Sequence, residues 1–237
     1  MTDYTGTILQ QLDSFGTDPD RGLTFAEASD ARARYGENVL TTKQPKSLWM
    51  RFWLQLKDAM VLILIIAVVI SFVLAFFSEE GEFIDSIIIL AIVALNAVLG
   101  VSQESKAQKS LDALKRLSAP SAKVLREGTL VQIPSADLVP GDIVVIEAGD
   151  FVPADCRLIE SASLACEESA LTGESLPVQK DAAAQVAEDA PLGDRLNMVY
   201  SGSVVTYGRG KALVTATGMN TEMGKIAALL DSGGEEA

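Results

Sequence analysis

The sequence predicts an α+β membrane protein, in which a two-helix transmembrane hairpin joins a cytoplasmic helical N-terminal segment to an all-β domain. Hydrophobic residues make up 49% of the 237 positions, and they are concentrated in two long runs between residues 59 and 101. Beyond Pro120 the sequence changes to short β-rich runs separated by Gly and Pro turn signals. Long apolar runs are typical of membrane helices, and short strands at this spacing are typical of a compact antiparallel barrel or jelly roll.

Composition excludes several classes of function. The chain has 19 basic and 32 acidic residues, a formal net charge of −13, and no histidine. This acidic balance predicts no nucleic-acid partner, since phosphate neutralisation needs clustered Lys and Arg. Without histidine, the chain can form neither a Ser-His-Asp nor a Cys-His nucleophile, and it has no imidazole for a metal site.

Residues 1–46 are predicted to form a cytoplasmic helical module. Thr24 and Glu27 have the spacing of a capping box, in which each residue satisfies a free backbone N–H of the other. Gly36 is placed to end the helix that they begin. The sequence therefore predicts a helix over residues 23–35.

An aromatic-rich stretch, residues 47–58, precedes the first apolar run. A helix there places large apolar residues on one face with two tryptophans beside them: Leu48, Phe52, Leu56, Trp49 and Trp53. Such a helix suits the membrane surface, so an interfacial helix is predicted. A simple extension of the first transmembrane helix into the cytosol is an equally good interpretation.

Two membrane crossings are predicted, at residues 59–77 and 84–102, joined by a short extracytoplasmic loop at 78–83. The first run has no charged residue and, at about 1.5 Å per helical residue, spans roughly 28 Å, close to the hydrocarbon thickness of a bilayer. The second contains one acid near its start, Asp85, and one internal amide, Asn96. A pair of buried core helices is the alternative, but it needs a larger surrounding core than this chain supplies.

The charges that flank the two runs predict their orientation, because basic residues remain in the cytoplasm. Basic residues stand before the first run and after the second, at Lys43, Lys46, Arg51, Lys57, Lys106, Lys109, Lys115 and Arg116. The connection between the runs carries only acidic charges, at Glu79, Glu80 and Glu82. We therefore expect a multi-pass protein of the cell membrane, with the lipid bilayer as a partner and both termini cytoplasmic.

Residues 103–119 are predicted to continue the second crossing as an amphipathic stalk helix that a proline ends. Residues 120–237 then form the β domain, with Glu127 and Gly128 as a turn signal and a last helix at 221–230. The predicted strands cover residues 122–126, 130–133, 143–147, 157–160, 199–206 and 211–217.

Cys156 and Cys166 fall in the part predicted to be cytoplasmic, so both are expected to be reduced. Their spacing matches no metal motif, and small buried hydrophobic side chains are the better interpretation. The acidic charge of the β domain is dispersed and lacks the Asp spacing of an EF-hand loop. A soluble cation-binding module is therefore less favoured, and no metal site is predicted.

Three acidic turns punctuated by Gly and Pro are candidate sites; they cover residues 137–142, 148–155 and 168–175. In the first two, Asp and Ser are expected to cap backbone amides while Gly supplies a positive φ. In the third, Gly173 hinges a tip that carries Glu174. The hydroxyl groups of Thr172 and Ser175 flank that carboxylate. Such a tip can project a carboxylate out of its own domain to orient a water molecule, and a simple capped turn is the alternative.

Taken in order, these residues resemble the actuator domain of P-type ATPases, the cation pumps that pass through an aspartyl-phosphate intermediate. Residues 22–38 resemble the N-terminal module of the type II cation pumps, 57–64 their first transmembrane entry, and 217–226 the end of their actuator domain. The set is most similar to the calcium-pumping bacterial members, although sodium/potassium and proton relatives share much of it. The resemblance covers nearly the whole chain and implies a distorted jelly-roll-like actuator domain at 120–237.

The resemblance implies a mechanism for the third turn. In such pumps the actuator domain rotates so that its Thr-Gly-Glu-Ser loop reaches the phosphorylated aspartate. Carried over by position, Glu174 would orient and activate the hydrolytic water, and Gly173 would permit its close approach. Thr172 and Ser175 would shape the loop. ATP and Mg²⁺ are implied for the complete pump, and no cofactor is expected in this chain.

The sequence also departs from the family. The phosphorylation sequence Asp-Lys-Thr-Gly-Thr is absent, as are the nucleotide-binding domain and the later transmembrane helices. We therefore expect this chain alone neither to bind ATP, nor to be phosphorylated, nor to transport. Its expected partners are the remaining phosphorylation, nucleotide-binding and transmembrane parts of the pump, and the transported cation. The alternative is a non-catalytic two-helix membrane protein whose cytoplasmic β domain acts as a binding or regulatory module.

Overall fold

The computed structural model describes residues 3–40, 47, 50, 53, 59–77, 84–117 and 120–233. The chain forms two compact units. One unit combines Met1–Thr42 with Ala119–Ala237, and the other is Lys43–Ser118. The N-terminal segment therefore folds together with the β-rich part of the chain, although the helical unit separates the two in sequence.

The N-terminal segment contains two helices, α1 (Ile8–Phe15) and α2 (Phe25–Tyr35). The predicted helix is confirmed as α2, and Thr24 and Glu27 form the capping box at its start. Helix α1 was not predicted, although it begins with a capping box of its own at Thr7. Its eight residues are too few to show a clear helical period in the sequence.

Both N-terminal helices pack on the β-rich part of their unit. Leu12 of α1 is buried against Ile143 and Leu213. Leu23, just before α2, is buried in a second cluster with Val139. These contacts remove apolar surface from water on both sides, which is the main favourable term in packing two segments together.

Hydrogen bonds hold the same segment in place. The N–H groups of Glu127 and Gly128, in the predicted turn, donate to the carbonyl oxygens of Leu23 and Arg21 at 3.1 and 2.7 Å. The side-chain amide of Asn38 donates to two carbonyl groups of the β-rich part and accepts from one N–H, at 2.8 to 2.9 Å. The N-terminal segment is therefore an integral part of this unit.

The second unit contains two helices, α3 (Ala59–Phe77) and α4 (Ile84–Leu117), which contact each other. Val61, Val93 and Ala97 are buried, whereas most of the described apolar side chains on both helices are exposed. A helix surface of this composition is not stable in water and needs an apolar surrounding.

By length and composition, Ile87–Leu111 qualifies as a membrane span within the described ranges, and Val61–Val73 is a shorter apolar helical stretch. Helix α4 continues without a break through residues 103–117 of the predicted stalk. The predicted extracytoplasmic loop at 78–83 lies outside the described residues. So does most of the predicted interfacial helix at 47–58, of which the structure describes three positions.

The β-rich part is a seven-stranded sheet in which every strand pair is antiparallel. The strand order is β2-β1-β3-β7-β4-β5, and β6 also pairs with β4. The last predicted helix is confirmed as α6 (Glu222–Gly233), and a four-residue helix, α5 (Ser169–Thr172), follows β4. The strands are β1 (Ser121–Arg126), β2 (Thr129–Pro134), β3 (Ile143–Glu147), β4 (Asp155–Glu167), β5 (Val178–Gln179), β6 (Met198–Val199) and β7 (Val204–Ala216).

The prediction of a single strand at 199–206 is wrong, because a turn at Gly202 separates β6 from β7. The predicted strand at 211–217 is the second half of β7, which runs on through Gly208 and Gly210. Because glycine normally weakens a strand pattern, the sequence did not indicate that β7 continues through these two glycines. Gly208 is needed because a Cβ there would lie 2.2 Å from the carbonyl oxygen of Ser163 in β4. The φ angles of Gly208 and Ser163 are positive, at 74° and 51°. They mark an irregularity in the pairing of the two long strands β4 and β7.

The core of this unit lies between the strands and contains both cysteines. Cys156 and Cys166 are fully buried and unpaired, which confirms the interpretation of small buried hydrophobic residues. Burial raises the pKa of the Cys166 thiol to about 12, so it is protonated and unreactive at neutral pH. The cluster around them is otherwise aliphatic and includes Val124, Leu138, Val144, Leu158, Leu164, Val205 and Val214.

Candidate functional site

The Thr-Gly-Glu-Ser sequence lies on a loop between β4 and β5. The loop leaves β4 through the four-residue helix α5 and returns through β5. The two strands pair antiparallel, with Cys166 opposite Val178, so they close the base of the loop. Gly173 ends α5 in the left-handed conformation, with φ 77°, and its N–H donates to the carbonyl oxygen of Ser169 at 3.0 Å. The loop therefore extends from a paired base formed by β4 and β5, and a hydrogen-bonded turn shapes its tip.

Thr172 fixes the backbone at the tip. Its hydroxyl donates to the carbonyl oxygen of Glu168 at 3.1 Å and accepts from the N–H of Glu174 at 3.3 Å. Its methyl group lies 3.5 Å from the position that a Cβ on Gly193 would occupy, so a neighbouring turn packs beside it. One half-buried side chain thus connects the tip to the body of the unit.

Gly173 is required by its conformation, since a positive φ strains any residue with a Cβ. No heavy atom lies within 4 Å of the place where a Cβ would stand. The space beside Gly173 is therefore open on the outer side of the loop.

Glu174 and Ser175 are exposed, and Leu176 beside them is 79% exposed. Among the described residues, no ion pair or hydrogen bond engages the Glu174 carboxylate. An exposed carboxylate without a partner can accept a proton from a water molecule or orient it. The structure thus brings the four predicted residues onto one projecting tip.

A buried ion pair lies at the base of this loop. Lys180 Nζ is 2.7 Å from Glu168 Oε1, and both side chains are fully buried. Burial raises the pKa of the Glu168 carboxyl, and the Lys180 ammonium beside it acts in the opposite direction. The ring of Tyr200 lies 5.8 Å from Lys180 Nζ. The sequence analysis did not predict this pair. The available signals were an acidic residue directly after the apolar end of β4 and a lysine directly after β5.

The first acidic turn is confirmed as a capped turn. The carboxylate of Asp142 accepts from the N–H of Val139 at 3.0 Å. It also forms a two-point ion pair with Arg126, at 2.9 Å from Nε and 2.6 Å from Nη2. The Asp142 side chain is fully buried, so its oxygens are satisfied inside the unit and are unavailable for chemistry.

The second acidic turn is also structural. Asp150 accepts from the N–H of Glu147 at 3.1 Å and lies 3.4 Å from Lys123 Nζ. At the end of the same turn, Asp155 is buried and accepts from the N–H groups of Ser201 and Glu222 at 2.8 and 2.7 Å. Burial raises the pKa of Asp155 to about 6 despite those two hydrogen bonds. This prediction of capped turns is confirmed as well.

The described part of the chain contains no group of three or more acidic or cysteine side chains placed to hold a metal ion. A cavity of about 350 Å³ lies beside Asp155, with lining charges of both signs, among them Arg195, Glu222 and Lys225. Arg195 lies over the ring of Tyr4 at 4.0 Å, so its charge is partly engaged within the unit. The projecting loop is the better candidate for chemistry.

The segment that carries the Thr-Gly-Glu-Ser loop matches a known protein family. The family model for the P-type ATPase actuator domain matches residues 116–231, and the model for the cation transporter/ATPase N-terminus matches residues 3–71. The chain belongs to the family of P-type cation ATPases.

The relatives are transport ATPases. The chain is 48% identical to calcium-transporting ATPase 1 of Bacillus cereus over 96% of its own length and 25% of that protein. It is 46% identical to a calcium-transporting ATPase of Bacillus subtilis, over 94% and 24% of the two chains. It is 44% identical to a sodium/potassium exporting P-type ATPase of Schizosaccharomyces pombe, over 98% and 22%. The chain spans about a quarter of the length of these relatives.

Proposed function

We propose that this chain is the N-terminal part of an ATP-driven calcium pump, and that its Thr172-Gly173-Glu174-Ser175 loop promotes hydrolysis of the aspartyl-phosphate intermediate. The observation that carries the proposal is the exposed, unpaired Glu174 carboxylate on a tip with a fixed backbone. The relatives named as calcium-transporting ATPases support calcium as the cation.

The chemistry follows from the geometry of the loop. The Glu174 carboxylate would orient a water molecule against the acyl phosphate and accept its proton as the new phosphorus–oxygen bond forms. The bond between phosphorus and the aspartate oxygen breaks, which frees phosphate and returns the aspartate. Gly173 would let the tip approach its partner closely, and Thr172 and Ser175 would shape the loop. ATP and Mg²⁺ would bind parts of the pump outside this chain.

We also propose that α3 and α4 cross the cell membrane as a hairpin. Their described apolar side chains are largely exposed, and basic residues flank the pair in sequence. At about 1.5 Å per residue, each helix is long enough for the hydrocarbon layer. Both chain ends would then be cytoplasmic, with residues 78–83 outside and 47–58 at the inner surface. The β-rich part would be the distorted jelly roll of an actuator domain.

The Glu174→Gln substitution tests the catalytic proposal in the longer pump that contains this segment. Phosphorylation from ATP should persist, while decay of the phosphoenzyme should slow by about a hundredfold or more, as expected when a general base is removed. The measurement is the loss of radiolabelled phosphate from the protein after a chase with unlabelled ATP.

Asp189→Asn is the matched control, because it removes an exposed carboxylate of the same unit that lies outside residues 168–180. Its phosphoenzyme should decay at the rate of the unmodified pump. Equal decay rates for the Glu174→Gln variant and the control would overturn the proposal and would favour a non-catalytic binding or regulatory module.

A further inference from the structure

The loop that carries Glu174 has little packing of its own. Glu174, Ser175 and Leu176 are exposed, and the space beside Gly173 is empty to 4 Å. An exposed tip loses little free energy when it moves, so a defined orientation has to come from its base, where Thr172 also lies beside the turn at Gly193.

The base contains a continuous chain of contacts that reaches the tip. Lys180 Nζ contacts the Glu168 carboxylate at 2.7 Å. The backbone carbonyl of the same Glu168 accepts from the N–H groups of Leu171 and Thr172 at 2.9 and 3.0 Å, and from the Thr172 hydroxyl at 3.1 Å. That hydroxyl accepts from the N–H of Glu174. The side chain of Glu168 therefore contacts Lys180 at the end of β5, while its backbone carbonyl holds the residues that lead to the tip.

Stability alone does not account for this pair. Burying two charges costs desolvation energy that the attraction between them repays only in part, and apolar replacements of similar volume are often equally stable. What an ion pair adds is a fixed distance between two segments. Here the two segments are the ends of the projecting loop, where β4 leads into α5 and where the chain continues from β5.

We propose that the buried Glu168–Lys180 ion pair is a positioning clamp, which holds the loop so that Glu174 points at its target. The inference rests on the proposed hydrolytic function of Glu174 and deepens it. Neither residue of the clamp touches the reacting atoms, and both act through Thr172.

The first test measures, in this chain, how firmly the tip of the loop is held. A Leu176→Cys substitution provides an exposed thiol for a nitroxide label, while Cys156 and Cys166 are buried and remain unlabelled. In the Glu168→Leu/Lys180→Met variant, the label should become more mobile by electron paramagnetic resonance, while the thermal unfolding midpoint stays near that of the parent. An unchanged spectrum in the folded variant would overturn the clamp.

Two further variants keep this test decisive. The exchanged pair, Glu168→Lys/Lys180→Glu, should restore the spectrum that the label has in the parent protein. If the apolar variant does not fold, Glu168→Asp replaces it, because a shortened acid keeps the charge but displaces the loop and should give intermediate mobility. As a matched control, Arg126→Met/Asp142→Asn removes a second buried ion pair of the unit. It should lower the unfolding midpoint and leave the spectrum of the label unchanged.

The second test measures phosphoenzyme decay in the longer pump. The apolar clamp variant should slow decay by about tenfold to a hundredfold, the effect of a misplaced catalytic group, with phosphorylation from ATP retained. Slow decay with Glu174→Gln but normal decay with the clamp variant would overturn the clamp alone. Normal decay with both would overturn the proposed function, and the mobility of the label would then still report on the clamp.

Discussion

Asp155 shows how one residue joins distant parts of the unit. It stands at the start of β4, and its two carboxylate oxygens accept from the N–H groups of Ser201 and Glu222. The second of these is the first residue of α6, so a negative charge faces the positive end of that helix. Desolvation outweighs these favourable contacts, which is why the pKa of Asp155 rises to about 6.

The raised pKa of Asp155 predicts a pH dependence of stability. Its ordinary value is 3.8 and its folded value is about 6, so the folded state binds more protons between these values. The contribution of Asp155 to the free energy of unfolding should therefore fall as pH rises from about 4 to about 6, by roughly 3 kcal/mol at most, and be constant above. Chemical denaturation of the chain in detergent, followed by circular dichroism of the sheet, measures this slope.

Asp155→Asn is the variant that isolates this effect. Asparagine cannot ionise, so the difference in unfolding free energy between the two proteins should change across that pH window and be constant above it. The contribution of Glu168, whose pKa is also raised, cancels in this difference. A difference that does not depend on pH would contradict the assignment of a raised pKa to Asp155.

At the scale of elements, the two longest strands determine where the functional loop projects. Strands β4 and β7 pair along most of their length, and four shifts of register interrupt the pairing. Gly208 sits where the backbone of β4 leaves no room for a side chain, with Ser163 on the other strand. Irregularities of this kind bend long strands and increase their twist, and β4 continues from the bend into the loop.

A Gly208→Ala substitution should unfold or strongly destabilise the unit. The added Cβ would lie 2.2 Å from the backbone oxygen of Ser163, in addition to the strain of a positive φ. We expect a loss of about 3 kcal/mol or more in the free energy of unfolding, read from denaturant titration.

Gly128→Ala is the matched control for this prediction. Gly128 has nearly the same φ, 76° against 74°, but no atom within 4 Å of its Cβ position. The Gly128→Ala substitution should lower the free energy of unfolding only by the conformational strain of a positive φ, about 1 kcal/mol. Similar losses in the two variants would show that β4 and β7 can move apart at Gly208.

At the scale of the whole molecule, the N-terminal segment completes a unit that is otherwise formed by residues beyond position 118. The residues after 118, when produced alone, should be less stable, because Val139, Ile143 and Leu213 lose their cover. Differential scanning calorimetry of residues 119–237 should show a lower unfolding temperature than the same residues joined to 1–42 by a flexible linker. Equal temperatures would contradict an integral role for the segment. A Leu9→Ala change in the joined protein is a control, since Leu9 is exposed.

Local signals in the sequence predicted the local features of this fold. The capping box at Thr24 and Glu27, the turn at Glu127 and Gly128, and the apolar runs each depend on neighbouring residues, and sequence reasoning found them. The Thr-Gly-Glu-Ser tip was recognised by its resemblance to a family, since its residues alone also fit a capped turn.

The features that escaped prediction depend on residues far apart in the chain. Leu12 packs on Leu213, and Gly208 lies close to Ser163. Both contacts depend on how distant segments align in the fold, which the periodicity of the sequence does not encode. The Glu168–Lys180 pair was missed for a related reason. Both residues belong to types that are almost always exposed, and only the closure of the loop between β4 and β5 buries them together.

The discontinuous unit has a consequence for biosynthesis. Leu12 leaves the ribosome early, yet its partner Leu213 is made about 200 residues later, after the whole helical unit. At roughly 5–20 residues per second, the first segment waits for ten seconds or more with its apolar face uncovered. Final folding therefore follows the synthesis of α3 and α4, and a nascent chain that stalls between them exposes a surface that chaperones and proteases recognise.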